Sequence, residues 1–285
     1  MRQRLVVWGL MLCVALWTAS CLAEAPHEFV VSGVVVNSGN AKLMDRFVAE
    51  LSRKSGYPLT PRFVATYSEL STILRQHPDA LAWTCGGPFV EDSIKDGQQL
   101  ISVPLLHGEP VYHSLIMTRK ERPEKGLLDF KGQVLAYSDP RSNSGFIAPA
   151  YRLRQDGQNI YGFFRLLLHA GNHERSIEAV YHGLADVAAV DSYVWYEYAK
   201  QHPDIAGELK IIDELGPFPF TPIVAGSKVS AETIARLQNT LDEFYRTDNG
   251  QTLLTEFGLT GFTTKTRDFY NPIESMMRGL EWPLN

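Results

Sequence analysis

A run of small polar residues lies in the middle of the chain, between an apolar segment and a segment that can be helical. The apolar residues 133–137 predict a strand, and Ser142, Asn143, Ser144 and Gly145 follow it closely. A turn of this kind at the start of a helix leaves backbone N–H groups without intrahelical partners, and the helix dipole favours an anion there. The hydroxyl and amide side chains can donate as well. The pattern predicts either an anion-binding turn or an ordinary helix cap, because the same residues serve both purposes.

Polar residues also follow several other apolar runs, at points where the strands of a sheet would end. They are Tyr67, Cys85 in the turn 84–88, His173 after the turn 170–172, and Asp191 after the run 186–190. In open α/β sheets, ligands bind beyond the carboxyl ends of the strands. We therefore expect these side chains and the turn at 142–145 to converge on one cleft.

The elements that must position these turns alternate between strand and helix along the chain. Short apolar runs predict strands, and stretches such as 41–55 have the apolar spacing of an amphipathic helix. This alternation indicates an α/β fold with largely parallel sheets. A charged connector at 119–126 divides the fold into two lobes, and the extended segment 217–224 can return the chain to the first lobe. We predict lobe 1 at 26–118 plus 222–285, lobe 2 at 119–221, and a ligand cleft between them.

The composition is that of an ordinary globular protein. The 285 residues are 45% hydrophobic and 21% charged, with a formal net charge of −5. A chain of this length can bury a large core, so neither a metal nor a disulfide is required for stability. The acidic balance and the absence of a basic run from the sequence argue against a nucleic-acid-binding protein.

Residues 1–25 have the pattern of a secretory signal peptide. Two arginines precede an apolar run that is too short for a membrane span, and Ala23-Glu24-Ala25 forms an A-x-A cleavage site. A lipoprotein signal with Cys21 as the lipidated residue is the alternative. Both interpretations predict an exported protein, and removal of the segment would leave Cys85 as the one cysteine.

Catalytic and metal-binding arrangements have less support in the sequence. Ser142 or Ser144 with His173 and Asp191 supplies the residue types of a hydrolytic triad, but a nucleophilic serine needs a base in hydrogen-bond reach. The G-x-S-x-G elbow of α/β-hydrolases is absent from the sequence, so a serine-dependent phosphate-ester hydrolase is a disfavoured alternative. His169 and His173 straddle a turn, without a zinc-type ligand set. We predict no enzyme activity, no metal site and no cofactor.

The sequence resembles the phosphonate, phosphate and phosphite substrate-binding proteins of ABC transporters. The resemblance rests on motifs that follow one another in the order of that family, and it covers nearly all of the chain after the signal peptide. The motifs are Thr66–Leu70, Ala82–Gly86, Tyr112–Ile116, Ser138–Pro149, Ala170–Glu174, Ala179–Asp191 and Pro217–Pro222. The resemblance implies a two-lobe type II periplasmic binding protein fold, each lobe a mostly parallel sheet flanked by helices. It also implies a monomer that captures a small oxyanion by lobe closure and delivers it to an ABC permease.

The resemblance further implies roles for individual residues. The matching positions are Tyr67, Tyr112, Ser142, Asn143, Ser144, Gly145 and His173. The three side chains at 142–144 and the backbone N–H groups at 144 and 145 would donate to the oxyanion. The two tyrosines would face the ligand from lobe 1. The histidine would lie at the phosphonate group and, if protonated, would add positive charge.

Two positions depart from the family pattern. Tyr193 stands where aminophosphonate-binding members have a glutamate that holds the ligand's amine, and Asp191 could substitute for that glutamate. Cys85 lies in a turn that faces the ligand, where some arsenite-sensing relatives are thought to use a cysteine, since thiolate is a soft ligand. A small residue that fills the turn is the alternative role for Cys85. The fold could therefore also serve as the ligand-sensing partner of a membrane histidine kinase, with an arsenite-type oxyanion bound through Cys85.

Overall fold

The structure is a computed structural model that describes residues 25–33 and 41–284. The predicted signal peptide up to residue 24, including Cys21, lies outside the described residues. The sequence also predicts a strand at 28–36, and its last three residues lie outside the described residues. Within the described ranges, no helix is long and apolar enough to cross a membrane.

The first part of the chain alternates between strands and helices. The first helix begins and ends as its periodicity predicts, and its apolar side chains at 43, 44, 47, 48 and 51 are all buried. The elements are β1 (His27–Ser32), α1 (Ala41–Ser55), β2 (Leu59–Val64), α2 (Tyr67–Gln76), β3 (Leu81–Trp83), α3 (Gly86–Lys95), β4 (Gln99–Leu105) and β5 (Val111–Arg119).

The alternation continues to the C-terminal end. The next elements are β6 (Val134–Tyr137), α4 (Ala148–Gln155), α5 (Ile160–Phe163), β7 (Leu166–His169), α6 (His173–Tyr181), β8 (Val187–Asp191), α7 (Ser192–Gln201), α8 (Pro203–Gly207) and β9 (Leu209–Pro219). The last are β10 (Ile223–Ala225), α9 (Ala231–Asp242), α10 (Asp248–Glu256), β11 (Gly261–Thr263) and α11 (Asn271–Gly279). Helix α8 and strand β11 were not predicted from the sequence.

The strands form two separate sheets with helices packed on them, which confirms the predicted two-lobe α/β fold. One sheet has six strands in the order β11-β4-β10-β3-β1-β2, and the other has five in the order β7-β6-β8-β5-β9. Both sheets are mixed rather than mostly parallel. Strands β1, β2 and β3 pair in parallel, as do β6, β7 and β8, whereas β4, β5, β9, β10 and β11 make antiparallel pairs. We call the part of the molecule around the six-stranded sheet lobe 1 and the part around the five-stranded sheet lobe 2.

The chain crosses between the lobes earlier than the sequence indicated. Strand β5 was predicted in lobe 1, but it hydrogen-bonds to β8 and β9 of the second sheet. We therefore propose the first crossing at 106–110 and the second at 220–222. Strand β5 is nearly continuously buried, so its sequence has no alternation that could indicate which sheet it joins.

The two lobes are packed against each other. Ile147, Ala148, Tyr193 and Val194 of lobe 2 are buried within the same apolar cluster as the core of lobe 1. After α11, Leu280 and Trp282 pack against the core of lobe 2. The structure is thus a closed form of the two-lobe fold.

Candidate functional site

The polar turn after β6 forms a wide helical turn that leads into α4. Residues Asn143–Ile147 are π-helical, and the N–H groups of Phe146 and Ile147 both donate to the carbonyl of Ser142, at 3.1 and 3.0 Å. The hydroxyl of Ser142 accepts from the N–H of Gly145 at 3.0 Å. The turn is therefore a helix cap, as one of the two sequence-based interpretations expected, and Ser142 is its capping residue.

Asn143 connects this turn to lobe 1. Its backbone N–H donates to Sγ of Cys85 at 3.5 Å, and its side-chain Nδ2 donates to the hydroxyl of Tyr112 at 3.0 Å. Cys85 packs against Tyr67, the first residue of α2. Tyr112 was predicted to face the ligand from lobe 1, but it lies at the start of β5 in the second sheet. The cysteine and Tyr67 are therefore the predicted residues that lobe 1 contributes.

Two glycines permit the close approach of backbone around the turn. A Cβ on Gly87, in the first turn of α3, would collide with the carbonyl oxygen of Arg141 and lie 2.8 Å from Ile147. A Cβ on Gly145 would collide with the hydroxyl of Ser138 and lie 3.3 Å from the ring of His173. Gly87 therefore matters for contact between the lobes, and Gly145 for packing of the turn within lobe 2.

His173 supports the turn as a neutral group. Its Nδ1 accepts the N–H of Asp191 at 3.2 Å, so Nε2 holds the proton and lies 3.3 Å from the hydroxyl of Ser138 and 3.5 Å from that of Ser142. Complete burial lowers the pKa of His173 to about 3. His173 therefore adds no positive charge in this closed form, because its ionisation would cost both burial energy and the bond to Asp191.

Asp191 is a buried carboxylate with one oxygen unused. It caps α7, where Oδ1 accepts the N–H of Tyr193 at 2.8 Å, while Oδ2 has no hydrogen-bond partner. Burial raises the pKa of Asp191 to about 7, against the opposing effect of the backbone N–H groups of Tyr193 and Val194. Burial is the main cause of the raised pKa values of Tyr67, Cys85 and Tyr112, and the Asp191 carboxylate raises them further.

Six of these residues form one buried polar cluster, which we call the chamber. It consists of Tyr67, Cys85, Tyr112, Asn143, Ser144 and Asp191, all at most 1% exposed. Four of their polar atoms are buried without a hydrogen-bond partner: Tyr67 OH, Asn143 Oδ1, Ser144 Oγ and Asp191 Oδ2. Three predicted residues, Ser142, Gly145 and His173, lie behind the chamber and hold the turn in place.

Burial also defines the state of the thiol in the chamber. Burial raises the pKa of Cys85. The backbone N–H groups of Asn143 and Gly87 lower this pKa, but by less. The residue is thus a thiol rather than a thiolate at neutral pH. Within the described residues there is no group of three or more His, Cys, Asp or Glu side chains that could hold a metal ion.

Arg141, the residue before Ser142, connects the turn to lobe 1 and was not predicted as a site residue. Its guanidinium reaches into lobe 1, where Nε lies 3.0 Å from Glu91, Nη2 lies 2.6 Å from Asp92, and Nη1 donates to the hydroxyl of Ser71 at 2.7 Å. Asp92 also accepts from Ser71 and, at 3.3 Å, from Gln98. We call Arg141, Glu91, Asp92 and Ser71 the clasp. Its one sequence signal was an arginine inside the polar turn.

Comparisons with known proteins agree with this architecture. A family model described as the periplasmic substrate-binding protein of phosphonate ABC transporters matches residues 37–270. The phosphonates-binding periplasmic protein of Escherichia coli (strain K12) is 24% identical over 248 residues, which are 84% of this chain and 73% of that protein.

Solved structures show the same fold. A binding protein component of an ABC phosphonate transporter from Pseudomonas aeruginosa has a TM-score of 0.82 at 20% identity, over 91% of this chain and 88% of that one. A protein from Prochlorococcus marinus (MIT 9301), solved in complex with methylphosphonate, has a TM-score of 0.79 at 20% identity, over 90% of this chain and 100% of that one. These likenesses establish the two-lobe type II periplasmic binding protein fold.

Proposed function

The chain belongs to the family of periplasmic substrate-binding proteins of phosphonate ABC transporters, and from that membership we propose that it binds a small phosphorus oxyanion and delivers it to an ABC permease. The ligand class is a phosphonate, phosphite or phosphate. The family is one of binding proteins rather than enzymes. The names of the Escherichia coli relative and of the methylphosphonate complex support this ligand class.

The observation that supports a ligand site is the set of four unpartnered polar atoms in the chamber. Buried polar groups in proteins are almost always hydrogen-bonded, because leaving one without a partner costs about 1–3 kcal/mol. Tyr67 comes from lobe 1 and the other three come from lobe 2. A bound oxyanion would provide partners for the hydroxyl groups of Tyr67 and Ser144.

The aromatic surroundings of the chamber favour a small, uncharged substituent on the ligand. Tyr193, which stands in place of the family's amine-binding glutamate, packs edge-to-face on Phe220 at 5.4 Å between ring centroids. Tyr112 lies 5.6 Å from the same ring. We propose hydrogen or methyl rather than an aminoalkyl group, since Tyr193 replaces the glutamate that would hold the amine.

Ligand capture requires the lobes to move. The chamber residues are at most 1% exposed and come from both lobes, so a ligand enters only when the lobes separate. Hinge closure around a ligand is the usual motion of periplasmic binding proteins. The two crossings at 106–110 and 220–222 are where we expect the chain to bend.

The test is binding of methylphosphonate, phosphite and phosphate to the purified protein by calorimetry and thermal shift. At least one is expected to bind, and Ser144→Ala and Tyr67→Phe are each expected to weaken it by about 1–3 kcal/mol, the usual loss for a hydrogen bond to a charged group.

The matched control for Tyr67→Phe is Tyr198→Phe. Tyr198 is a buried tyrosine in the core of lobe 2, outside the chamber, so its loss should leave the affinity unchanged. Failure of all three oxyanions to bind would contradict the proposed function. Binding that both chamber variants leave intact would instead contradict the placement of the site.

A further inference from the structure

The chamber contains an acceptor where an anion site would be expected to contain only donors. The hydroxyls of Tyr67 and Ser144 can donate to a ligand, and the Asn143 amide can turn to present its NH₂ group. An ionised Asp191 has only lone pairs, and its Oδ2 is buried without a partner. Oδ2 of Asp191 can therefore form a hydrogen bond in only two ways. Either the ligand carries a hydrogen that it donates to Oδ2, or Oδ2 is itself protonated and donates to the ligand.

The groups around Asp191 do not supply a positive charge. Tyr67 and Cys85 face it from lobe 1, and Tyr112 faces it from β5. His173 contacts its backbone N–H from α6, and Tyr193 acts on it from α7. All five are neutral at pH 7, because burial raises the pKa values of the tyrosines and the thiol and lowers that of the histidine.

The nearest basic residue in the turn is already paired. The guanidinium of Arg141 is held by Glu91 and Asp92 of the clasp. A fully ionised oxyanion beside an ionised Asp191 would thus be two like charges in a dry space, which is strongly unfavourable. One proton between them removes one negative charge and makes a charge-assisted hydrogen bond.

We propose that the closed chamber holds its oxyanion together with one proton, which lies between a ligand oxygen and Oδ2 of Asp191. This inference rests on the proposed function and specifies the ligand as an oxyacid that retains a proton near neutral pH. Phosphonates, phosphite and phosphate meet this requirement, since the second ionisation of such groups falls near pH 6–7. Sulfate and sulfonates do not, although their shape is nearly the same.

The inference predicts selectivity between two ligands of the same shape. Methylphosphonate can share a proton with Asp191, whereas methanesulfonate leaves the carboxylate facing a bare oxygen. Sites that hydrogen-bond a ligand hydrogen reject analogues that lack it, so we expect methylphosphonate to bind at least roughly 100-fold more tightly. Asp191→Asn supplies an N–H at the same place, and the ratio should fall to about tenfold or less.

The inference also predicts proton uptake. At about pH 8.5 the free ligand is largely doubly ionised and an open, hydrated Asp191 is ionised, so formation of the complex should take up about one proton. The affinity should then fall about tenfold for each unit of pH above 8. In Asp191→Asn the uptake should be largely lost, because the amide donates without a proton from solution.

Calorimetry in buffers of different ionisation enthalpy measures the ligand affinities and the number of protons taken up, both on the intact protein. Asparagine and serine both cap helices well, so Asp191→Ser is a second variant that preserves the start of α7 if Asp191→Asn does not fold. Inorganic phosphite and sulfate form a second matched pair.

The outcomes separate the two proposals. Binding of methylphosphonate or phosphite by the wild type without proton uptake, or equal binding of methanesulfonate, overturns the shared proton and leaves the proposed function standing. Absence of binding for every phosphorus oxyanion at every pH overturns both. If Asp191→Asn takes up a proton as the wild type does, the shared proton is also overturned, because the ligand alone then holds it.

Discussion

The chamber and the clasp both join the two lobes, and their residues in the turn begin two positions apart. In the clasp, Arg141 meets two carboxylates and a hydroxyl of lobe 1, so its charge is matched within the protein. In the chamber, which starts two residues later at Asn143, four polar atoms have no partner and no cation is paired with Asp191. The one cation of the turn is therefore used to hold the lobes together rather than to attract the anion. Under the proposed function, closure of the lobes and choice of ligand therefore depend on different residues.

The largest expected effect comes from breaking the clasp. Arg141→Met leaves Asp92 buried without its charged partner in the closed form, and such losses cost roughly 3–5 kcal/mol. Opening of the lobes relieves this cost, so it should appear as weaker ligand binding, by about 100-fold or more. Calorimetry with methylphosphonate measures it. Adding Asp92→Asn should recover part of the loss, because the uncompensated charge is removed.

The control for this variant is a cation outside the interface. Arg46 pairs with Glu256 within lobe 1, and both side chains are largely exposed. Arg46→Met should therefore leave ligand affinity unchanged. Equal affinities in the wild type and Arg141→Met would show that the clasp does not stabilise the closed form.

A smaller effect is expected from preventing the close approach of the lobes. The Cβ of Gly87→Ala would meet the Arg141 carbonyl only when the lobes are closed. Steric insertions of this size cost about 1–3 kcal/mol, so binding should weaken by that amount while thermal unfolding of the ligand-free protein stays nearly unchanged. Gly162→Ala is the matched control, since its Cβ would meet nothing within 4 Å. If Gly87→Ala instead lowers the thermal stability of the ligand-free protein and leaves the affinity unchanged, the collision occurs in the open form and the prediction is wrong.

The smallest effect is expected at the thiol of the chamber. Cys85→Ser replaces a weak sulfur acceptor of the Asn143 N–H with a hydroxyl, so the affinity for methylphosphonate should change by less than about 1 kcal/mol. Calorimetry on the variant tests this. Complete loss of binding, or a shift of the melting temperature by arsenite in the wild type but not in the variant, would instead make Cys85 a direct ligand of a soft oxyanion.

Local patterns predicted most of the elements and the chamber residues, but not the contacts between the lobes. The bounds of α1 follow from its apolar spacing, and Thr66 and Glu69 form a capping box that fixes the start of α2 at Tyr67. Arg141 and Asp92 are 49 residues apart, and no periodicity connects them. Their pairing exists only because the fold brings α3 to the turn.

The sequence left the charge of His173 open, and it predicted residues 209–212 of β9 as a strand and the chain from 217 only as extended. A histidine in a polar motif is compatible with either charge, and only its complete burial and its bond to Asp191 make it neutral. Strand β9 continues to Pro219 although prolines disfavour central strands. The prolines are tolerated because β9 is the edge strand of its sheet.

Arg141 is joined to Ser142 by a single peptide bond, and this has a kinetic consequence. The turn cannot move away from lobe 1 while the guanidinium stays bound to Glu91 and Asp92. Release of a bound ligand therefore waits for charge-assisted hydrogen bonds that the ligand does not touch. Under the proposed function, opening of the clasp is then a step that every bound oxyanion must wait for, so a substitution at Arg141 would shorten the interval during which a membrane partner can meet the loaded form.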